Sequence, residues 1–202
     1  MLEYFINLDK ELFLFLNGLN ADWLDPVMFY ITWKFFWIPF YTLLLWLFYK
    51  QYGWKTTLFI LLLVIVLITM SDQLSGFLKK TTQRLRPSRD ESLSDLVHLF
   101  EGKRGGGFSF VSSHAANSFA LALFVIHLLG SKIKFIAPVM VTWAILKSYS
   151  RIYLGVHYPG DVIGGAILGI LCAILIMQVW DYFYGNYFTN IRKEKIPIKY
   201  ND

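Results

Sequence analysis

Apolar residues recur at helical spacing from the start of the chain. Phe5, Leu8, Leu12, Phe15 and Leu16 share one face, with Glu3, Asp9, Lys10 and Glu11 between them. That period predicts an amphipathic helix within residues 1–20, lying in a membrane interface. The polar stretch "NGLNAD" ends it, and beyond that point the pattern changes to continuous apolar runs. These cover about 26–49, 54–70, 113–130, 135–149 and 159–184, separated by short polar turns and one long polar segment. Runs of this kind suit a hydrocarbon layer, which takes about 20 helical residues to cross. Because they are continuous rather than alternating, they predict helices and not barrel strands. The second run stays helix-compatible through "SDQLSGFLKKTTQRLRP", so a helix is expected from Trp54 to Arg86, ended by Pro87. At about 1.5 Å per residue it would be roughly 50 Å long and would project from the membrane or tilt.

The pattern therefore predicts an all-α fold, a polytopic membrane bundle of about five transmembrane helices plus the N-terminal interfacial helix. A single domain is expected over residues 1–202. It comprises the interfacial helix (1–20), the bundle (26–185), a polar loop (88–111) on the side of the candidate site, and a polar tail (186–202). Composition agrees: of 202 residues 56% are hydrophobic and 18% aromatic, more than a soluble domain of this length needs. Trp23, Trp33, Trp37, Trp46, Tyr49 and Trp54 flank the first run, as interfacial belts do. The net charge of +5 is clustered, with no basic stripe for nucleic acid. Cys172 is the only cysteine, so no intrachain disulfide forms, and it is expected simply to pack. The acidic N-terminus lacks a basic n-region and a cleavage site, so no signal peptide is expected.

Ionisable groups at a membrane edge are costly and point to function by default. Three groups stand out, all expected on one membrane face. Lys79 and Arg86 lie seven apart on the expected helix, hence on one face, and two aligned cations suit a phosphate. With Lys80, Arg84 and Arg89 close by, the same residues also read as a snorkelling basic collar. Ser112, Ser113 and His114 open the third run, where a helix N-terminus offers free N–H donors to an anion. A plain serine cap with an interfacial histidine is the alternative there. In "SRIYLGVHYPGD", Arg151 ends one helix, while His157 and Asp161 flank Pro159 at the start of the next. A carboxylate on one imidazole nitrogen leaves the other free as nucleophile or base. The alternative is a capped helix with a dipole-favoured Asp161. Two histidines, one carboxylate and several cations make a poor metal site but suit attack on phosphorus. His98 and His127 fit no motif: one belongs to the loop, the other to the opposite membrane edge. Asp72, seven residues before Lys79, is expected to neutralise Lys79 or Lys147 within the bundle.

Lys79-x6-Arg86-Pro87, then Ser112-Ser113-His114, then Ser150-Arg151-x5-His157-x3-Asp161 resembles the three-part signature of the type 2 phosphatidic acid phosphatase family. That family shares its site with vanadium haloperoxidases. The resemblance implies a membrane lipid phosphatase in which His157 is the nucleophile forming a phosphohistidine, oriented by Asp161. It makes His114 the general acid, and Lys79, Arg86, Arg151, the Ser112 hydroxyl and the Ser113 backbone N–H the holders of the phosphoryl oxygens. It implies no metal and no other cofactor. The departure is in the middle motif, usually Pro-Ser-Gly-His but Val111-Ser112-Ser113-His114 here, which matters if position 113 needs a positive φ. Implied partners are the bilayer and a lipid bearing a terminal phosphate or diphosphate: undecaprenyl diphosphate, phosphatidylglycerol phosphate, phosphatidic acid or a lipid A phosphate. A vanadate-dependent oxidant and a catalytically silent scaffold are the rival readings. Oligomeric state is not legible.

With an odd number of spans the ends lie on opposite sides, and basic residues divide almost evenly between the two. Discounting those with a place in the site turns the tail and short loops to the cytoplasm and the site outward. A bacterial inner membrane protein with its site facing the periplasm or exterior is the expectation.

Overall fold

The computed structural model describes residues 2–93, 95–102 and 104–188. Among these the extended elements are all helical: α1 (Leu2–Asn17), α2 (Leu24–Thr32), α3 (Ile38–Thr82), α4 (Ser113–Leu129), α5 (Ile136–Tyr153) and α6 (Pro159–Phe183). The polar tail beyond residue 188, and Lys103 of the loop, lie outside the described residues. The all-α membrane bundle expected from the pattern is the observed architecture.

Outward faces show why the bundle needs lipid. Leu58, Leu62 and Ile65 of α3, and Ile163, Ile167 and Leu171 of α6, are each more than half exposed. Stripes of leucine and isoleucine at helical spacing would be unfavourable against water and are at ease against hydrocarbon. The regions Lys34–Leu93 and Pro159–Tyr187 contain helices long and apolar enough to cross a membrane.

At the centre runs α4, whose Ala115, Ala116 and Ala120 are fully buried. Its small residues let α6 approach closely, and α6 answers with Gly165 and Gly169, four apart on one face. A Cβ built on Gly169 would stand 2.1 Å from the Ala116 carbonyl oxygen, and one on Gly165 would stand 2.4 Å from that of Ser112. Both neighbours are backbone and cannot swing aside. Gly169→Val should therefore separate the two helices that carry the candidate site, costing at least the roughly 1 to 3 kcal/mol of an overpacked core. Size-exclusion chromatography in detergent should show loss of the monodisperse folded species, whereas Ile167→Val, on the lipid face, should leave it intact.

Three sequence expectations need correction. The run 26–49 is not one helix: α2 stops at Thr32, a 3-10 turn occupies Lys34–Trp37, and α3 begins at Ile38. The first and second runs are joined rather than separated, since helix runs on either side of Gly53, whose φ of 76° and ψ of 170° break the helical path. Tyr41 on one limb of α3 and Val64 and Ile68 on the other line the same cavity. A straight helix would put Tyr41 and Ile68 roughly 40 Å apart, so the limbs fold back at Gly53. This bend sits by the far end of α4, where the Tyr52 hydroxyl donates to the Leu128 carbonyl at 2.5 Å.

The third correction concerns the other end of α3. Helix stops at Thr82, not at Pro87, because Gln83 takes the left-handed conformation (φ 48°) and its N–H caps the Lys79 carbonyl at 3.0 Å. Arg86 then lies in extended backbone (φ −74°, ψ 153°). Lys79 and Arg86 are therefore not stacked on one helix face. Arg86 reaches its neighbours by a turn of the chain.

Candidate active site

Four elements bring their ends together around the turn between α5 and α6. Ser112 caps α4, its hydroxyl accepting from the Ala115 N–H at 3.4 Å, while its own N–H donates to the Asp161 carbonyl at 2.9 Å. The first turns of α4 and α6 are thus tied to each other. The N–H groups of Ser113 and His114 have no acceptor within the helix, as at any helix start. Ser113 is the first helical residue and is absent from the residues with positive φ. Serine is accordingly unstrained where glycine is usual. Its hydroxyl accepts from Lys79 Nζ and lies 2.6 Å from Ser75 Oγ.

His157 is 2% exposed, and its Nε2 lies 3.2 Å from Arg86 Nη1. A guanidinium has only donors. Nε2 must then be the acceptor, which puts the ring hydrogen on Nδ1, 3.5 Å from Asp161 Oδ2. That separation is long for a hydrogen bond, and catalytic contacts of this kind commonly shorten when substrate arrives. Burial pushes the His157 imidazole well below its ordinary pKa, and the charges of Arg86, Arg151 and Lys79 push the same way. At neutral pH the ring is uncharged, with its lone pair facing the cations.

Those cations are positioned by contacts of their own. Arg86 is buried and donates from Nε to the Gly106 carbonyl at 2.8 Å and from Nη1 to that of Val156 at 2.9 Å. Arg151 donates from Nη1 to Thr32 Oγ1 at 2.6 Å, and its buried Nε has no protein partner among the described residues. His114 lines a neighbouring cavity between α3, α4 and α5, together with Ser113 and Lys147. All eight site residues named from the sequence (Lys79, Arg86, Ser112, Ser113, His114, Arg151, His157 and Asp161) therefore gather at one end of the bundle. Asp72 lines that same cavity and, among the described residues, makes no ion pair within 4.0 Å; its charge acts on Lys79 at longer range, so the expected neutralisation of Lys79 is through space and not a contact.

Sequence reasoning missed Arg84 and Asp9. Arg84 Nη1 bonds Asp161 Oδ1 at 2.8 Å and Nη2 bonds Asp9 Oδ2 at 2.6 Å. Asp9 Oδ1 in turn accepts the Gly160 N–H at 2.7 Å, at the start of α6, and the guanidinium stacks 4.1 Å from the centre of the Tyr158 ring. Asp161 is fully buried and also accepts the Tyr158 N–H at 2.9 Å. Helix α1 thus reaches the carboxylate behind His157 through a single arginine. Asp9 had only the signal of a charge on a polar helix face, and Arg84 looked like one member of a basic collar. His98 also has a structural place, its Nε2 lying 2.9 Å from Asp25 Oδ1.

A second tie holds the loop. Asp90 accepts from Lys10 Nζ at 2.6 Å, from Ser92 Oγ at 2.6 Å and from the Tyr158 hydroxyl at 3.0 Å. Burial alone would raise the Asp90 carboxyl, but the bonds from Lys10, Ser92 and Tyr158 prevail and hold it at about 2 against an ordinary 3.8. A carboxyl depressed on folding stabilises the fold above its unfolded pKa, and that contribution is lost as pH falls through the folded one. Between about pH 4 and pH 2 the loop should detach from α1, read as faster amide hydrogen exchange over residues 88–93. Asp90→Asn should exchange fast at pH 6 already and show no such step.

The PAP2 superfamily profile matches residues 57–184. The lipid A 4'-phosphatase of Bacteroides thetaiotaomicron is 42% identical over 171 residues, covering 84% of this chain and 75% of that protein. That of Porphyromonas gingivalis is 35% identical over 188 residues, covering 90% and 76% respectively. Among solved structures, Aquifex aeolicus LpxE superposes with a TM-score of 0.66 at 28% identity, covering 85% of this chain and 95% of its own. The Bacillus subtilis transmembrane PAP2 type phosphatidylglycerolphosphate phosphatase gives 0.66 at 25%, covering 89% and 87%.

Proposed function

This chain belongs to the PAP2 superfamily and is a membrane lipid phosphatase, and we propose that it cleaves the phosphate monoester of a lipid A type saccharolipid through a phosphohistidine on His157. The observation that carries the mechanism is the placement of the His157 ring, its Nε2 3.2 Å from Arg86 Nη1 and its Nδ1 3.5 Å from Asp161 Oδ2. The substrate class rests on the lipid A 4'-phosphatases at 42% and 35% identity, against 28% for an undecaprenyl-diphosphatase.

The phosphoryl group sits among Lys79, Arg86 and Arg151, with the Ser112 hydroxyl and the Ser113 N–H on its remaining oxygens. Those donors are fixed before the reaction and match the charge spread over the equatorial oxygens in the transition state. His157 Nε2 attacks phosphorus, the bond to the lipid oxygen breaks, and His114 gives that oxygen its proton. Water then gives a proton back to His114 and attacks the phosphohistidine. Inorganic phosphate leaves and His157 is restored. Asp161 holds the Nδ1 tautomer and offsets the charge that grows on the ring. The incoming phosphate supplies the negative charge that lets His114 carry its proton among so many cations. The site is oriented to the exterior of a bacterial inner membrane, since several of the cations on its side have places in the site and are discounted from the charge balance.

Phosphate release by purified protein in detergent with excess chelator tests this reading. The panel is a lipid A phosphate, a prenyl diphosphate, phosphatidylglycerol phosphate and phosphatidic acid. The saccharolipid should give the highest kcat/KM, unchanged by chelator. Activity that vanishes with chelator, or a saccharolipid that ranks last, would overturn it.

A further inference from the structure

Beside the phosphoryl position lies a cavity of about 470 Å³ that the reaction above does not use. It runs down from His114 between the two limbs of α3, α4 and α5, and Lys147 lines it. Lys147 is 7% exposed and sits four residues before Arg151, one helical turn deeper along α5. Its Nζ donates to the Tyr41 hydroxyl at 3.5 Å and lies 5.2 Å from the centre of the Trp143 ring. No carboxylate comes within 4.0 Å of it among the described residues; Asp72 lines the cavity but makes no ion pair. An aromatic face and one phenol do not balance an ammonium in a membrane-spanning helix, where an unpaired charge costs several kcal/mol.

The walls also carry other unmet polar atoms. Trp143 is 4% exposed, and its Nε1 is buried without an acceptor. Asn117 Oδ1 is likewise buried and unpartnered, while Lys34 stands exposed at the cavity's edge. Two lysines and an indole N–H make the space rich in donors; Asp72, Asn117 and two serines also line it, with Val64, Ile68 and Leu121 as its apolar part. It adjoins His114, the group that protonates the leaving oxygen in the mechanism proposed above, so what enters it is the leaving part of the lipid.

We infer that this cavity is a second anion subsite, in which Lys147, with the Trp143 N–H and Lys34 at the rim, holds a second phosphate carried by the leaving part of the substrate. This rests on the proposed role of His114 but concerns recognition rather than chemistry. Such a phosphate could be joined directly to the scissile one, as in a lipid diphosphate, or stand across a saccharide headgroup. Both present anionic phosphate oxygens to the same ammonium, one charge in the diphosphate and up to two in the monoester. The subsite therefore sets preference among lipid phosphates that the phosphoryl-binding residues do not distinguish.

The test measures affinity on the His157→Ala protein in detergent micelles, so that binding is read without turnover. Two pairs of lipids separate the sources: a prenyl diphosphate against the prenyl monophosphate, and a bisphosphorylated diglucosamine lipid against its monophosphorylated form. In at least one pair the doubly phosphorylated lipid should bind tenfold tighter or more. Adding Lys147→Gln should bring that ratio close to one, and Lys147→Arg should keep most of it. Ratios near one in both pairs overturn the subsite, and that result needs no Lys147 variant to fold. A ratio that survives Lys147→Gln overturns the assignment to Lys147. Turnover by wild type that persists in His157→Ala would instead overturn the phosphohistidine reading and leaves these ratios to be judged on their own.

Discussion

Replacing His157 by alanine should lower phosphate release by at least about 10⁴-fold, in line with loss of a nucleophile from a concerted site. The ring is 2% exposed and its Nε2 lies 3.2 Å from Arg86, so a small side chain would leave a gap that only water could fill. Water in that gap lacks the orientation imposed by Asp161 and must attack a phosphoryl group whose oxygens remain bound. Binding should therefore outlast catalysis, with KM changing little while kcat collapses. Adding imidazole should restore part of the rate, since the gap has the shape of the missing ring. Loss of KM and kcat together, with no rescue, would instead point to a collapsed pocket.

Arg84→Leu should be the most damaging change outside the phosphoryl position. Arg84 holds two carboxylates from different helices, Asp161 at 2.8 Å and Asp9 at 2.6 Å. Asp161 is fully buried and would keep the Tyr158 N–H and the Ser109 hydroxyl, neither of which carries a charge to offset its own. Removing one partner of a buried ion pair typically costs about 3 to 5 kcal/mol, because the other charge stays buried. Folded protein should fall accordingly, and the surviving fraction should turn over slowly with nearly normal KM, since Arg84 does not touch the phosphate. Adding Asp9→Asn should recover part of the stability but not the rate, because it relieves one stranded carboxylate and leaves Asp161 without its partner. A variant as stable and as fast as wild type would show that Arg84 is only a surface cation.

Residues that share a motif were legible because their spacing survives any bending of the chain. Ser112, Ser113 and His114 open a helix, and His157 and Asp161 flank Pro159 at the start of another. What escaped depends on where the chain turns. Gln83 in the left-handed conformation ends α3 one turn before Pro87, and no residue preference at position 83 announces it. The early stop swings Arg84 toward Asp9, a contact across 75 positions that no periodicity encodes. Gly53 was hidden in the same way, a single residue whose φ of 76° folds one apolar run against the next. The concern over Ser113 dissolves for a local reason: as the first residue of α4 it needs no positive φ, and its hydroxyl finds Lys79.

The account stands or falls on a covalent phosphate at His157. Lipid substrate labelled in the terminal phosphate should be mixed with enzyme, quenched within the first turnover under alkaline denaturing conditions, and the protein digested for mass spectrometry. Label on the peptide containing His157, stable to alkali, released by acid and absent from His157→Ala, is the expected result. Full phosphate release with no labelled enzyme at any quench time, or acid-stable label on Ser112 or Ser113, would contradict it.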